Sequence, residues 1–187
     1  MSAQGSREMP GGPALSNEIL AARSGNAVFM RVMGLGNMHN AVGMWDFAED
    51  MVERGYRRFC MDLALCRGMD STFMGTLVGL SARLKELGEG YVALVNVADD
   101  NRGLLEVVGA DKFLKMKGEL EFEEIEMEIL PSVEAPLERR IEQVRKAHES
   151  LMVIDKRNEE RFGTFMRMLI SELNGGGEGE FPSPPAN

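Results

Sequence analysis

A chain of 187 residues that is 44% hydrophobic can bury a real core, but its formal net charge of −9 argues against nucleic acid and anionic membrane as partners, since both select clustered Lys and Arg. Two cysteines and two histidines are too few for a structural metal site, so no metal and no cofactor is expected. No run of about 18 apolar residues could cross a membrane, and the polar, Gly/Pro-rich start has no signal-peptide pattern, so a cytoplasmic protein with free thiols is expected.

Residues 1–14 and 175–187 are rich in Gly, Pro and Ser and are expected to be disordered tails. "EILAAR" and "AVFMRVMG" flank "SGN" and read as two strands joined by a tight turn at Gly25 and Asn26. A helix follows, with Ala41, Met44, Trp45, Ala48, Met51 and Val52 at helical spacing, Asn40 as N-cap and Gly55 as its end. "RRFCMDLAL" reads as a central strand. The next helix carries Phe73, Leu77, Leu80, Leu84 and Leu87 on one stripe and stops at Gly88. "YVALVNV" is a buried strand, "DDNRGLLEVVG" a short helix and "KFLKM" a last strand. Alternating strands and helices of this kind predict an α/β fold: a single sheet of about four or five strands covered by helices, occupying residues 15–117.

Residues 118–136 form an acidic connector in which "EFEEIEMEI" suits an edge strand or an extended link, closed by Pro131 and Pro136. Residues 137–174 are a two-helix C-terminal extension. Leu137, Ile141, Val144, His148 and Leu151 form one stripe; Phe162, Phe165, Met166, Leu169, Ile170 and Leu173 form another, with Asp155 or Asn158 as cap. Such an extension must bury its stripes on the sheet domain, on itself or on another protein.

The stretch "CRGMDSTFMGTL", from Cys66 to Leu77, poses the functional question. Asp70 and Ser71 both suit an N-cap, which is a sufficient structural reason for them. Yet Ser71, Gly75 and Gly79 are spaced by four and share a helix face, and each glycine costs about 1 kcal/mol of helix propensity against alanine. A smooth strip of this kind admits another backbone, either the domain's own sheet or a docked partner. The helix N-terminus tolerates an anion, so a phosphate on Ser71 suits the fold while changing the surface charge by about −1.5 to −2.

"RRFCMDLALCRGMDSTFMGTLVGLSARLK" resembles the core of a STAS domain as found in bacterial anti-sigma factor antagonists: a strand ending in Asp62, a loop from Ala64 to Met69, then Asp70-Ser71 opening a helix with Gly75 at the family's usual glycine position. "AVFMRVMGLGN" and "YVALVNVADDNRGLLEVVGADKFLKM" extend the resemblance over about residues 18–116. The resemblance implies a non-enzymatic switch. Ser71 is the implied phosphoacceptor, with Thr72 as an alternative; the implied partner is a serine kinase that is also the anti-sigma factor. Asp70, Ser71, Thr72, Phe73, Gly75 and Gly79 are the implied contact residues. The chain departs from the family pattern at Phe73, which replaces a glycine and is expected to add bulk beside the acceptor.

Other motifs carry less chemistry. "GLGNMHN" lacks the Gly-Lys-Ser/Thr ending of a phosphate loop. His39 reads as a loop residue, and His148, on an apolar stripe, as a packing residue. The acidic 119–128 stretch lacks calcium-loop spacing. The 15 methionines fall mostly on apolar stripes and suit adaptable core packing. Two rivals to the switch stay open: an unphosphorylated scaffold docking through its C-terminal helices, and a small-ligand module with a cavity between helices and sheet.

Overall fold

The computed structural model describes residues 16–119, 125–131 and 133–173. The tails expected at 1–14 and 175–187 lie outside the described residues.

The chain opens with an antiparallel hairpin, β1 (Glu18–Ser24) and β2 (Ala27–Gly36), closed by the pair Ser24↔Ala27. Of the two turn residues, it is Gly25 that takes positive φ, at 58°. Helix α1 (Met38–Glu53) leads to β3 (Arg58–Asp62), a short β4 (Cys66–Met69) and α2 (Ser71–Glu86). After these come β5 (Tyr91–Val95), α3 (Asp99–Val107), a 3-10 turn at Ala110–Lys112 and β6 (Lys115–Met116). A two-residue β7 (Glu128–Ile129) then precedes α4 (Leu137–Ile154) and α5 (Arg157–Leu173).

Strand order is β6-β5-β3-β2-β1-β7, with β4 pairing β2 beyond the end of β3. The strands β2, β3, β5 and β6 run parallel, as helical crossovers require. Period-two alternation buries Val28, Met30 and Val32 of β2 on one face, where they meet Phe59 and Met61 of β3 and Val92 and Leu94 of β5. Met44 and Ala48 of α1, Leu77, Leu80 and Leu84 of α2 and Leu105 of α3 close over this face in one core.

Among the described residues the sheet has seven strands, where the sequence pattern shows about four or five. The short β4 is part of the reason: Cys66 and Met69 are buried around an outward Arg67-Gly68, and four residues give too little pattern to separate strand from loop. β3 ends at Asp62 rather than running on to Leu65, which is 40% exposed. The acidic connector does contribute an edge strand, with Leu20↔Ile129 and Ala21↔Glu128 as its pairs to β1. Helix α1 starts one turn earlier than Asn40 suggests. Asn37 is its N-cap, and Asn40 sits at the third helical position with its side chain accepting from the Asn37 N–H.

Candidate functional site

Asp70 fixes the front of α2. Its Oδ1 accepts from the Phe73 amide at 2.8 Å, and its Oδ2 accepts from the Met38 amide at 2.9 Å, the first residue of α1. One carboxylate therefore caps two helices and holds their N-termini together. The Asp70 N–H donates to Gly36 O at 2.9 Å, so the Gly34–Gly36 segment does border this site. Burial pushes the Asp70 carboxyl above its ordinary range, against the pull of the two amides.

Asp70 being the N-cap, Ser71 is the first helical residue. The two hydroxyls after Asp70 have different surroundings. Thr72 is buried, 5% exposed, and its carbonyl accepts from the Thr76 hydroxyl at 2.8 Å. Ser71 is half-buried at the seam between α2 and α4, and its Oγ lies 2.9 Å from His148 Nε2. His148 Nδ1 lies 2.8 Å from Val144 O; a carbonyl only accepts, so Nδ1 carries the proton. In the neutral imidazole Nε2 is then the acceptor, and the Ser71 hydroxyl donates to it. Phe162 packs edge-on against the His148 ring at 4.8 Å and Phe165 at 5.0 Å. Burial holds the imidazole below its ordinary pKa; the Val144 carbonyl and the Asp70 charge oppose this.

The small-residue strip is occupied by a backbone, and that backbone is α4. A Cβ on Gly75 would stand 2.2 Å from Ala147 O, and one on Gly79 would stand 3.1 Å from Ser150 Oγ. Gln143 Nε2 donates to Thr76 Oγ1 at 2.9 Å in the same buried seam. Phe73 does not add bulk beside the Ser71 hydroxyl. It is 0% exposed and packs against Gly36, where a Cβ would meet its ring at 2.6 Å. The expected contact set is thereby split: Ser71, Gly75 and Gly79 lie on the α4 seam, while Thr72 and Phe73 turn inward.

His148 and Gln143 are the site residues that sequence reasoning missed. His148 stands on an apolar stripe, as expected, but its polar edge finds a partner 77 positions away. The polar break in that stripe was the available signal. Asn158 is not a helix cap. Fully buried, it donates through Nδ2 to Val108 O and Leu151 O, and Asp155 Oδ1 accepts from the Arg157 amide at the start of α5.

Behind the site, Asp62 is 1% exposed and accepts from Arg31 Nε at 2.7 Å, the Ala64 amide and Asn96 Nδ2. Burial raises both thiols, Cys60 to about 11, so neither is a ready nucleophile at neutral pH. Among the described residues no cluster of ligating side chains could hold a metal ion, and no helix is long and apolar enough to cross a membrane. A depression of about 280 Å³ at the start of α1, lined by Asn37, His39, Asn40 and Leu130, is slightly smaller than ordinary ligand pockets.

This arrangement of hairpin, parallel strands and crossover helices matches the NMR structure of the Thermotoga maritima protein TM1081. The match has a TM-score of 0.50 and 18% identity, over 64% of this chain and 91% of that one. The fold is STAS-like. A crystal structure of TM1081 aligns with TM-score 0.49 and 20% identity over 54% of this chain and 85% of that one. The unphosphorylated form of the anti-sigma factor antagonist SpoIIAA aligns with 0.48 and 19% over 58% and 90%. No family model matches the sequence, and no curated protein matches it significantly. In the STAS-like frame, Asp70-Ser71 stands where strand gives way to helix, and α4 and α5 are packed against the helical layer.

Proposed function

We propose that the chain is a non-enzymatic, phosphorylatable binding switch of the anti-sigma factor antagonist type, with Ser71 as the acceptor and a serine kinase that doubles as anti-sigma factor as its partner. The observation that carries this reading is the placement of Ser71. Ser71 is half-buried on the first turn of α2, with its hydroxyl on His148, whereas Thr72 and Thr76 are each 5% exposed or less. The Asp70-Ser71 pair also lies in the stretch that resembles the antagonist core. A dianion there sits at a helix N-terminus, which the fold tolerates, and changes the charge of a surface built for close approach. TM1081, whose fold this chain shares, is described in its crystal structure as a candidate anti-sigma factor antagonist.

Phosphopeptide mapping of the protein isolated from its own cells tests the acceptor, and a pull-down with Ser71→Ala and Ser71→Asp tests the switch. The reading predicts phosphate on the Ser71 peptide, and a kinase captured by Ser71→Ala but lost from Ser71→Asp. An unmodified Ser71 peptide, or equal capture by both variants, refutes it. One observation favours the scaffold reading instead: α4 lies across the acceptor face. Under that reading Ser71 variants leave binding unchanged.

A further inference from the structure

We propose that the α4–α5 hairpin is a built-in competitor for the α2 strip: it occupies the seat where a partner would dock, shields Ser71, and must lift before either phosphorylation or docking. This rests on the reading of Ser71 as the switch only for its consequence; the cover itself is argued from packing.

The seat is cut for a helix backbone. At Gly75 nothing larger than hydrogen fits, because the Ala147 carbonyl fills the space where a Cβ would stand. Ala147 is itself small and 1% exposed, so the two helices meet backbone to backbone. The acceptor hydroxyl lies one turn from this contact and is tied to His148 of the same α4. Anything that uses the strip takes the place of α4.

The hairpin is also built to leave as a unit. Val144 of α4 with Met166 and Leu169 of α5 forms a buried cluster separate from the main core; Ile141, Met152 and Phe162 of the same helices pack against it, as does Met38 of α1, so the two helices carry most but not all of these apolar contacts with them. Of the C-terminal helices, Leu151 is fully buried in the main core, and Ile154 and Phe162 pack half-buried against it. The seam toward α2 is partly polar, with Gln143 on Thr76 and His148 on Ser71, groups that water satisfies once the helices part. Asn158 Nδ2 on Val108 O and Arg161 Nη1 on Val107 O tie α5 to the end of α3. A cover with its own cluster and a partly polar seam opens at lower free energy than the core unfolds.

Phosphate and cover exclude each other. Esterified Ser71 Oγ has no proton to donate to His148 Nε2. The Oγ–Nε2 distance of 2.9 Å leaves no room for a phosphoryl group in place of that proton, so the imidazole has to give way when Ser71 is esterified. The aromatic rings of Phe162 and Phe165, not a cation, pack against the imidazole. On this proposal the phosphorylated chain stands open, and modification follows opening.

The test uses the full chain carrying Ser71→Cys, with N-ethylmaleimide as the probe and peptide mass mapping as the readout; Cys60 and Cys66 in the same digest are internal controls. Once uncovered, a thiol at the helix front is reactive. The thiol introduced at position 71 should be alkylated at least tenfold more slowly than in the same chain with Ala147→Glu on α4. Equal rates in two natively folded chains overturn the proposal. Should Ala147→Glu fail to fold, hydrogen exchange on the unaltered chain decides: the α4 amides must exchange by an opening easier than that of β3 and β5. Exchange of α4 at the same free energy as those strands means the hairpin leaves only on global unfolding, and the proposal falls. Neither readout needs a phosphate. Absence of phosphate on Ser71 in cells would remove the proposed function and leave the cover standing.

Discussion

Gly75→Ala puts the α2–α4 contact under direct strain. The added Cβ would stand 2.2 Å from the Ala147 carbonyl oxygen and 2.9 Å from its Cα. An ordinary carbon–oxygen contact is about 3.3 Å, so α4 has to retreat by about 1 Å. Overpacking of this kind costs about 1–3 kcal/mol, while alanine in a helix gains about 1 kcal/mol over glycine. The expected net is a loss of up to about 2 kcal/mol. Gly103→Ala in α3 is the control. Nothing lies within 4 Å of its Cβ, so it keeps the gain of about 1 kcal/mol. At about 2–4 °C per kcal/mol for a chain of this size, the two melting temperatures should differ by about 2–12 °C, with Gly75→Ala the lower. Trp45, the single tryptophan, reports locally, because its ring and Ser150 of α4 both border Gly79; its emission should move toward that of a wetter indole. If Gly75→Ala melts at or above Gly103→Ala, α4 does not pack on α2 as described.

Three further outcomes follow from the same geometry. Asp70→Ala removes the cap of α2 and the acceptor for the Met38 amide, while Asn37 still caps α1, and should cost about 1–2 kcal/mol in urea denaturation. Asp62→Ala removes an acceptor shared by Arg31 Nε, the Ala64 amide and Asn96 Nδ2 and should cost roughly 3 kcal/mol by the same measurement. His148 gives a pH dependence. Burial lowers its pKa in the folded chain below the ordinary 6.5, so the unfolded chain binds more protons, and stability is lost as pH falls through 6.5 toward the folded value. Asp70, raised by burial, works in the opposite sense from its ordinary 3.8 upward, so the difference between wild type and His148→Gln isolates the imidazole. The wild-type chain should lose stability relative to that variant between pH 7.5 and 5.5; parallel profiles would contradict the buried neutral histidine.

The succession of strands and helices was legible because long segments carry a clean period: Val28, Met30 and Val32 alternate, and Phe73, Leu77, Leu80 and Leu84 recur at helical spacing. What escaped was short or distant. β4 and β7 have four and two residues, too few for a period. The start of α1 slipped because Asn37 and Asn40 both look like caps, and only the geometry shows that one serves the other. At the site, the Ser71-Gly75-Gly79 spacing announced a close approach but not its occupant. Phe73, expected to add bulk beside Ser71 because it replaces a glycine of the family pattern, instead fills the space that the missing side chain of Gly36 leaves. The Ser71–His148 contact spans 77 positions and has no local signature.

Hydrogen exchange across residues 137–154, compared between the unmodified chain and one carrying phosphoserine at position 71, bears most directly on the claim that α4 and the Ser71 hydroxyl hold each other in place. The account predicts that α4 is protected when Ser71 is free and loses that protection when it is phosphorylated, while β3 and β5 stay protected in both. Equal protection of α4 in the two forms would contradict it.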